Sequence, residues 1–220
     1  MRNLKRALSL ALASVMVVSM MVVGAGAASY DDFSDKDEIV NQEAVQMLVE
    51  LGVINGKDTG DFDPTGIVTR AEMAKMICVV LNGGKDPSLG TTVTNTYTDT
   101  VNHWASGYIE YCTQLGIVAG DGTGKFNPDA NVTRNEMAVI MSNMLDYKVS
   151  NYAGTAPFTD VPSWAEPYVA ACYTNGIIAG YDAKTFGGND SVTTGQAALM
   201  LMKALGYFQY QSDFGDDWLV

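Results

Sequence analysis

The chain has 220 residues, enough for one or two domains, and its 47% hydrophobic content suits a packed core and is too high for a disordered chain. It carries 13 basic and 25 acidic residues, a net −12; three of the basic residues (Arg2, Lys5, Arg6) precede the first acid, Asp31, so the chain after residue 28 stands at −15. That balance argues against a nucleic-acid binder, which needs a basic face, and against electrostatic docking on an anionic membrane. Three cysteines cannot all pair within one chain and are not spaced as a metal site. The single histidine, His103, leaves no His-rich cluster and only remote room for a His-based triad. No metal and no cofactor is expected.

Residues 1–28 read as an export signal: a charged start, an apolar run from Ala7 to Val23, then Gly24-Ala25-Gly26-Ala27-Ala28. Cleavage after Ala27 or Ala28 fits that pattern. The rival is an uncleaved anchor, for which the run is slightly short of the roughly 20 residues of a span. The mature form is expected to have no membrane segment.

The remainder is one pattern written three times, about 60–64 residues apart. The first copy has Leu51-Gly52-Val53-Ile54-Asn55-Gly56, Phe62-Asp63-Pro64 and Thr69-Arg70-Ala71-Glu72. The second has Leu115-Gly116-Ile117-Val118-Ala119-Gly120, Phe126-Asn127-Pro128 and Thr133-Arg134-Asn135-Glu136. The third has Asn175-Gly176-Ile177-Ile178-Ala179-Gly180, Phe186-Gly187-Gly188 and Thr193-Thr194-Gly195-Gln196. In each, the glycines are four apart, Phe follows by six and Thr by seven more. Upstream stand Phe33-Ser34-Asp35, Tyr97-Thr98-Asp99 with Trp104, and Phe158-Thr159-Asp160 with Trp164; the first copy has Val40 where Trp is expected.

Each copy predicts helix, loop, helix. The second helices show apolar residues at i, i+3, i+4, i+7: Met73, Met76, Ile77, Val80; Met137, Ile140, Met141, Met144; Ala197, Met200, Leu201, Ala204. The first helices repeat the spacing in Ala44, Met47, Leu48, Leu51 and in Tyr108, Tyr111, Cys112, Leu115. The glycine-rich stretches between them predict tight turns. The expected division is 29–82, 97–146 and 158–207 for the repeats, with linkers at 83–96 and 147–157 and a tail at 208–220. One helical pair cannot bury its apolar face alone, so three must share a core, stacked or closed around a pseudo-threefold axis. The fold class is therefore mainly all-α.

These residues resemble the S-layer homology (SLH) family. Its pattern is an aromatic-x-Asp opening with a following Trp, then Gly-Ile-x-x-Gly, Phe-x-Pro and Thr-Arg-Ala-Glu. The resemblance runs from about Tyr30 to Tyr207. It implies a pseudo-threefold bundle that binds secondary polysaccharide of the Gram-positive cell wall without a covalent bond. The implied ligand is a pyruvate-ketal amino sugar held in grooves between repeats. In some diderm bacteria such modules bridge outer membrane and wall.

Thr-x-x-Glu before an apolar run is a capping box, which gives Thr69/Glu72, Thr133/Glu136 and Thr193/Gln196 a structural purpose. The arginine has none of that kind, because a cation in the first turn opposes the helix dipole. The third copy keeps the box and has Thr194 in place of Arg. Arg70 and Arg134 are thus the binding candidates, with a surface ion pair as the alternative. A guanidinium can fork onto a ketal carboxylate, and helix N-terminal amides would help hold the same anion. Trp104 and Trp164 either stack on a sugar or pack inside. Gly56, Gly120 and Gly180 read as turn glycines that also let a sugar approach the backbone. Phe62, Phe126 and Phe186 read as core anchors of the loops. Cys112 and Cys172 occupy the slot of Leu48 and read as small core hydrophobes, with Cys78 packed as well.

Asp61-x-Asp63-x-Thr65-Gly66-x5-Glu72 superficially matches a calcium loop, but the other copies break it with Lys125 and Thr185. Pairing the Arg of one repeat with the Trp of the next predicts Arg70 with Trp104, Arg134 with Trp164, and a degenerate groove of Thr194 and Val40. The expected role is non-catalytic anchoring to cell-wall polysaccharide. The alternatives are a structural or protein-binding module that contacts other surface-layer subunits and, with least support, a wall glycosidase using two carboxylates. Phe208 to Val220 resembles the opening of another repeat, which predicts a longer protein with a cargo beyond it.

Overall fold

The computed structural model describes residues 29–91 and 95–206; the export segment and the tail inferred above lie outside them. Among the described residues there are six α-helices and no strand: α1 Gln42–Glu50, α2 Arg70–Leu81, α3 Ser106–Gln114, α4 Arg134–Met144, α5 Glu166–Thr174 and α6 Thr194–Ala204. Short 3-10 turns sit at Tyr30–Asp32, Lys36–Glu38 and Val149–Asn151. Each repeat thus contributes two helices joined by a loop.

The second helices begin at complete capping boxes. Thr69, Thr133 and Thr193 accept the amides of Glu72, Glu136 and Gln196, whose side chains reach back to the N-cap amides. The first helices stop at Gly52, Gly116 and Gly176, all near φ +70°, a conformation that favours glycine.

The helices do not pair within a repeat. Instead α2 packs on α3, α4 on α5, and α6 returns to α1. The choice left open between a stack and a ring is settled as a ring. Its axis is marked by three buried valines. Val68 N–H donates to Val192 O (3.1 Å), Val192 N–H to Val132 O (2.8 Å), and Val132 N–H to Val68 O (3.0 Å), a closed cycle. Single antiparallel bridges flank it, joining Ile67 to Thr193, Thr69 to Asn131 and Thr133 to Ser191.

The same contacts satisfy the first amides of the second helices. Arg70 and Ala71 N–H donate to Ala130 O and Pro128 O; Arg134 and Asn135 donate to Asp190 O and Gly188 O; Thr194 and Gly195 donate to Gly66 O and Pro64 O. Helix N-termini ordinarily leave such groups unpaired. Here they are handed to the next repeat, so the expectation that they hold a bound anion is corrected.

The aspartate of the aromatic-x-Asp opening has a local task. Asp35 accepts the amides of Phe62 and Asp63, Asp99 those of Phe126 and Asn127, and Asp160 those of Phe186 and Gly187, all at 2.7–2.8 Å. The opening aromatic packs on the same loop: Phe33 on Phe62 (5.7 Å between centroids), Tyr97 on Phe126 (5.4 Å) and Phe158 on Phe186 (5.3 Å). Phe62, Phe126 and Phe186 are themselves fully buried.

Two sequence expectations need correction. On α3 the buried face runs Ala105, Tyr108, Ile109, Cys112; Tyr111 and Leu115 are exposed. The i, i+3, i+4, i+7 spacing holds, but its phase starts one turn earlier, where the helix meets α2. The motif glycines also differ from plain turn glycines. Gly56 has φ +74°, whereas Gly120 and Gly180 lie outside the left-handed region. At all three a Cβ would strike the opening aromatic, Phe33, Tyr97 or Phe158.

The cycle makes each repeat depend on the other two. Removing the third repeat would strip Val68 of its acceptor and Val132 of its donor. A fragment of residues 29–146 is therefore expected to show no cooperative thermal transition by circular dichroism, whereas residues 29–206 show a single one. Cooperative folding of the two-repeat fragment would refute this dependence.

Candidate functional site

Among the described residues the ring leaves a groove at each of its three joints, and each draws on all three repeats. In groove A, Arg70 of the first repeat meets the Ile117–Gly120 loop of the second, and Trp164 of the third closes the rim. In groove B, Arg134 meets the Ile177–Tyr181 loop, and Asn41 lies across from them. In groove C, Thr194 meets the Val53–Lys57 loop, with Trp104 at the rim. Their volumes are about 600, 60 and 190 Å³.

The expected pairing of Arg70 with Trp104 and of Arg134 with Trp164 is therefore wrong. The second helix of one repeat carries its Arg to the loop of the next. The Trp that faces that loop comes from the repeat after. Groove A holds both groups, groove B has the Arg without the Trp, and groove C has the Trp without the Arg. No groove loses both. Val40 is 78% exposed and lies outside the lining of groove B.

The tryptophans are surface groups: Trp104 is 47% and Trp164 57% exposed. Core packing is excluded for both. Trp104 also leans on His103 and Tyr108, with centroids 5.6 and 6.5 Å apart. His103 accepts the Ala105 amide at the start of α3 (3.1 Å) and faces Asp129. Gly120 and Gly56 line grooves A and C.

The arginines are held from several sides. Arg70 donates from Nε to Phe126 O (2.8 Å), from Nη2 to Ala119 O (2.6 Å) and from Nη1 to Glu136 Oε1 (3.0 Å). Its guanidinium lies 4.5 Å from the Phe126 ring centroid. Arg134 repeats the two carbonyl bonds, to Phe186 O (3.0 Å) and Ala179 O (2.6 Å). It is sandwiched between Phe186 and Tyr181, at 4.6 and 4.7 Å. Each Arg therefore clamps two parts of its neighbour's loop as well as lining a groove. Where Arg is absent, Thr194 makes one short-range substitute, Oγ1 to Gly66 O at 3.1 Å.

The charge in the three grooves differs. In groove A, Glu136 pairs with Arg70 and Asp121 stands at the edge. Thr123 and other loop groups hold Asp121 ionised, with its pKa lowered to about 2. In groove B the capping residue is the neutral Gln196, and the lining contains Arg134 and Lys203 with no carboxylate. Burial depresses the pKa of both cations. In groove C, Lys75 is bound to Asp86 at 3.0 Å and Glu72 serves its cap.

Sequence reasoning missed Lys203, Tyr181 and the Arg70–Glu136 pair. Tyr181 is 56% exposed and gives groove B an aromatic surface in place of the missing Trp. Its signal was visible: it follows Gly180, where the other copies have Lys57 and Asp121. Among the described residues there is no group of three or more His, Cys, Asp or Glu able to hold a metal. No helix there is long and apolar enough to cross a membrane.

A family model described as the S-layer homology domain matches three tandem stretches, 32–74, 96–138 and 157–198. A cell surface protein of Thermoanaerobacter kivui is 27% identical over 93% of this chain and 25% of its own length. A surface-layer 125 kDa protein of Lysinibacillus sphaericus is 30% identical over 77% of this chain and 14% of its own. An exoglucanase, XynX, of Acetivibrio thermocellus is 28% identical over 77% of this chain and 16% of its own. The chain thus spans a quarter or less of these relatives.

The arginine contacts set a stability order. Arg134→Ala leaves the Phe186 and Ala179 carbonyls without their donor and is expected to cost about 2 kcal/mol in urea unfolding. Glu136→Gln keeps the cap, as Gln196 does, and loses only a partly exposed ion pair, so about 1 kcal/mol or less is expected. The reverse order would show that the ion pair, not the carbonyl clamp, secures the loop.

Proposed function

The chain belongs to the S-layer homology domain family and is a cell-surface, wall-associated anchoring module; from that premise we propose that it binds secondary cell-wall polysaccharide in its inter-repeat grooves. The observation that carries this reading is groove A. It combines an exposed Trp164, the Arg70 guanidinium and an open volume of about 600 Å³, room for sugar units. An indole presents a flat apolar face to a pyranose ring, and the guanidinium and loop carbonyls supply polar contacts around it.

Groove B supports a different contact. Two cations in a lining that itself holds no carboxylate suit the acid substituent of the polymer, a ketal carboxylate of the kind the family implies, although Asp190 and Asp160 stand close enough to Arg134 to share part of its charge. The chain after residue 28 is strongly acidic, so long-range attraction to an anionic polymer is absent. Affinity then rests on local charge, hydrogen bonds and stacking, with two grooves on one polymer adding avidity. Groove C, with Trp104 and Gly56, is a weaker third contact.

The relatives include surface-layer proteins and an exoglucanase, each sharing only a small part of its length with this chain. That distribution supports an attachment role that does not depend on what is attached, and it favours a non-catalytic module.

The test is co-sedimentation of residues 29–220 with wall sacculi from the native host, before and after acid extraction of the secondary polymer. Binding is expected only before extraction. Trp164→Ala is expected to weaken it by about 5- to 30-fold, from loss of stacking worth about 1–2 kcal/mol. Lys203→Gln is expected to weaken it and to flatten its salt dependence. Equal binding to both wall preparations would move the target to peptidoglycan. No binding to either would point to a protein partner, such as other surface-layer subunits.

A further inference from the structure

At each joint between repeats, one position of a second helix and one of the following first helix are equivalent from copy to copy, and at two joints their side chains are in contact. The three joints fill them in three ways. Between α6 and α1 the positions equivalent in sequence are Met202 and Leu48, both fully buried. Between α4 and α5 they are Ser142 and Cys172, with Oγ and Sγ 3.2 Å apart. Between α2 and α3 they are Cys78 and Cys112, with their sulfurs 3.5 Å apart and both side chains fully buried.

We propose that Cys78 and Cys112 form a disulfide in the exported protein, a covalent link between the first and second repeats. Three observations converge. The two thiols face each other across a helix–helix contact, with their sulfurs already in van der Waals contact and about 1.5 Å beyond bonding distance. The equivalent Ser142–Cys172 pair shows that this slot accepts two small side chains in contact. The family places the chain at the cell surface, where no glutathione pool keeps thiols reduced. Cys172 faces a hydroxyl and stays a thiol.

The chemistry is an exchange with a disulfide oxidant. Two S–H bonds break, one S–S bond forms, and the oxidant leaves as two thiols carrying the two protons and two electrons. The thiolate is the attacking species. In the folded chain both thiols are fully buried, out of reach of an oxidant, and the hydrogen bond to Cys78 and burial raise the Cys112 pKa. Oxidation is therefore placed at the stage before α2 and α3 dock. The link closes a loop of about 34 residues that includes the linker between repeats. It also ties to the second repeat the helix that carries Arg70 at its start, and with it one wall of groove A.

The test uses the full chain, refolded in a buffer of reduced and oxidised glutathione, alkylated in denaturant and weighed intact. One alkylated cysteine is expected, mapping to Cys172, with a reducible peptide joining Cys78 to Cys112. Three alkylated cysteines, or a bond that includes Cys172, would overturn the proposal. Cys172→Ser is expected to retain the link. Reductant is expected to lower the melting temperature of the unsubstituted chain by about 5–15 °C. The same reductant should not move Cys78→Ser or Cys112→Ser. A melting temperature of the unsubstituted chain that ignores reductant would likewise count against the link.

Discussion

Three valine peptide groups, Val68, Val132 and Val192, bond head to tail around one axis. A buried backbone amide must find a partner, and here each finds it in another repeat. That requirement fixes the rest. It brings the three capped helix starts to the axis, and it passes the next two amides of each helix to the loop of the following repeat. The second helices then lie on the first helices of their neighbours. The grooves are the spaces left between a helix start, a neighbour's loop and the exposed rim residue of the third unit.

The arginines follow from the same geometry. A guanidinium at the first helical position opposes the helix dipole. It is tolerated because the helix start is already docked, and the nearby groups are the carbonyls of Ala119 and Phe126, or of Ala179 and Phe186. Thr194 shows how much of this the fold can forgo. Securing the loop and lining the groove are therefore not separate for Arg70 and Arg134.

Much of this was legible in the sequence. Repeat spacing placed the six helices, and Thr-x-x-Glu and Thr-x-x-Gln placed the caps at Thr69, Thr133 and Thr193. The grooves were not legible in the same way. Periodicity says which side of a helix is apolar; it does not say which helix that side meets. Assigning Arg70 to Trp104 assumed that neighbours in sequence share a groove, whereas a closed ring puts Trp164 there. The phase of α3 failed for a related reason, since Tyr111 and Leu115 are apolar enough to imitate a buried face. The aspartates of the opening motif had visible spacing but no visible partner, because they cap a loop 26–28 residues further on.

Because every groove has walls from three repeats, a polymer seated in one, as proposed, would touch the whole ring. A pull on the polymer would load Arg70, the second repeat's loop and Trp164 together, and through them the hydrogen bonds at the axis. No single helix pair could peel away first without breaking the cycle that holds the others. Attachment of this kind would resist tension as one body, much as a three-jawed chuck grips only while all its jaws are closed.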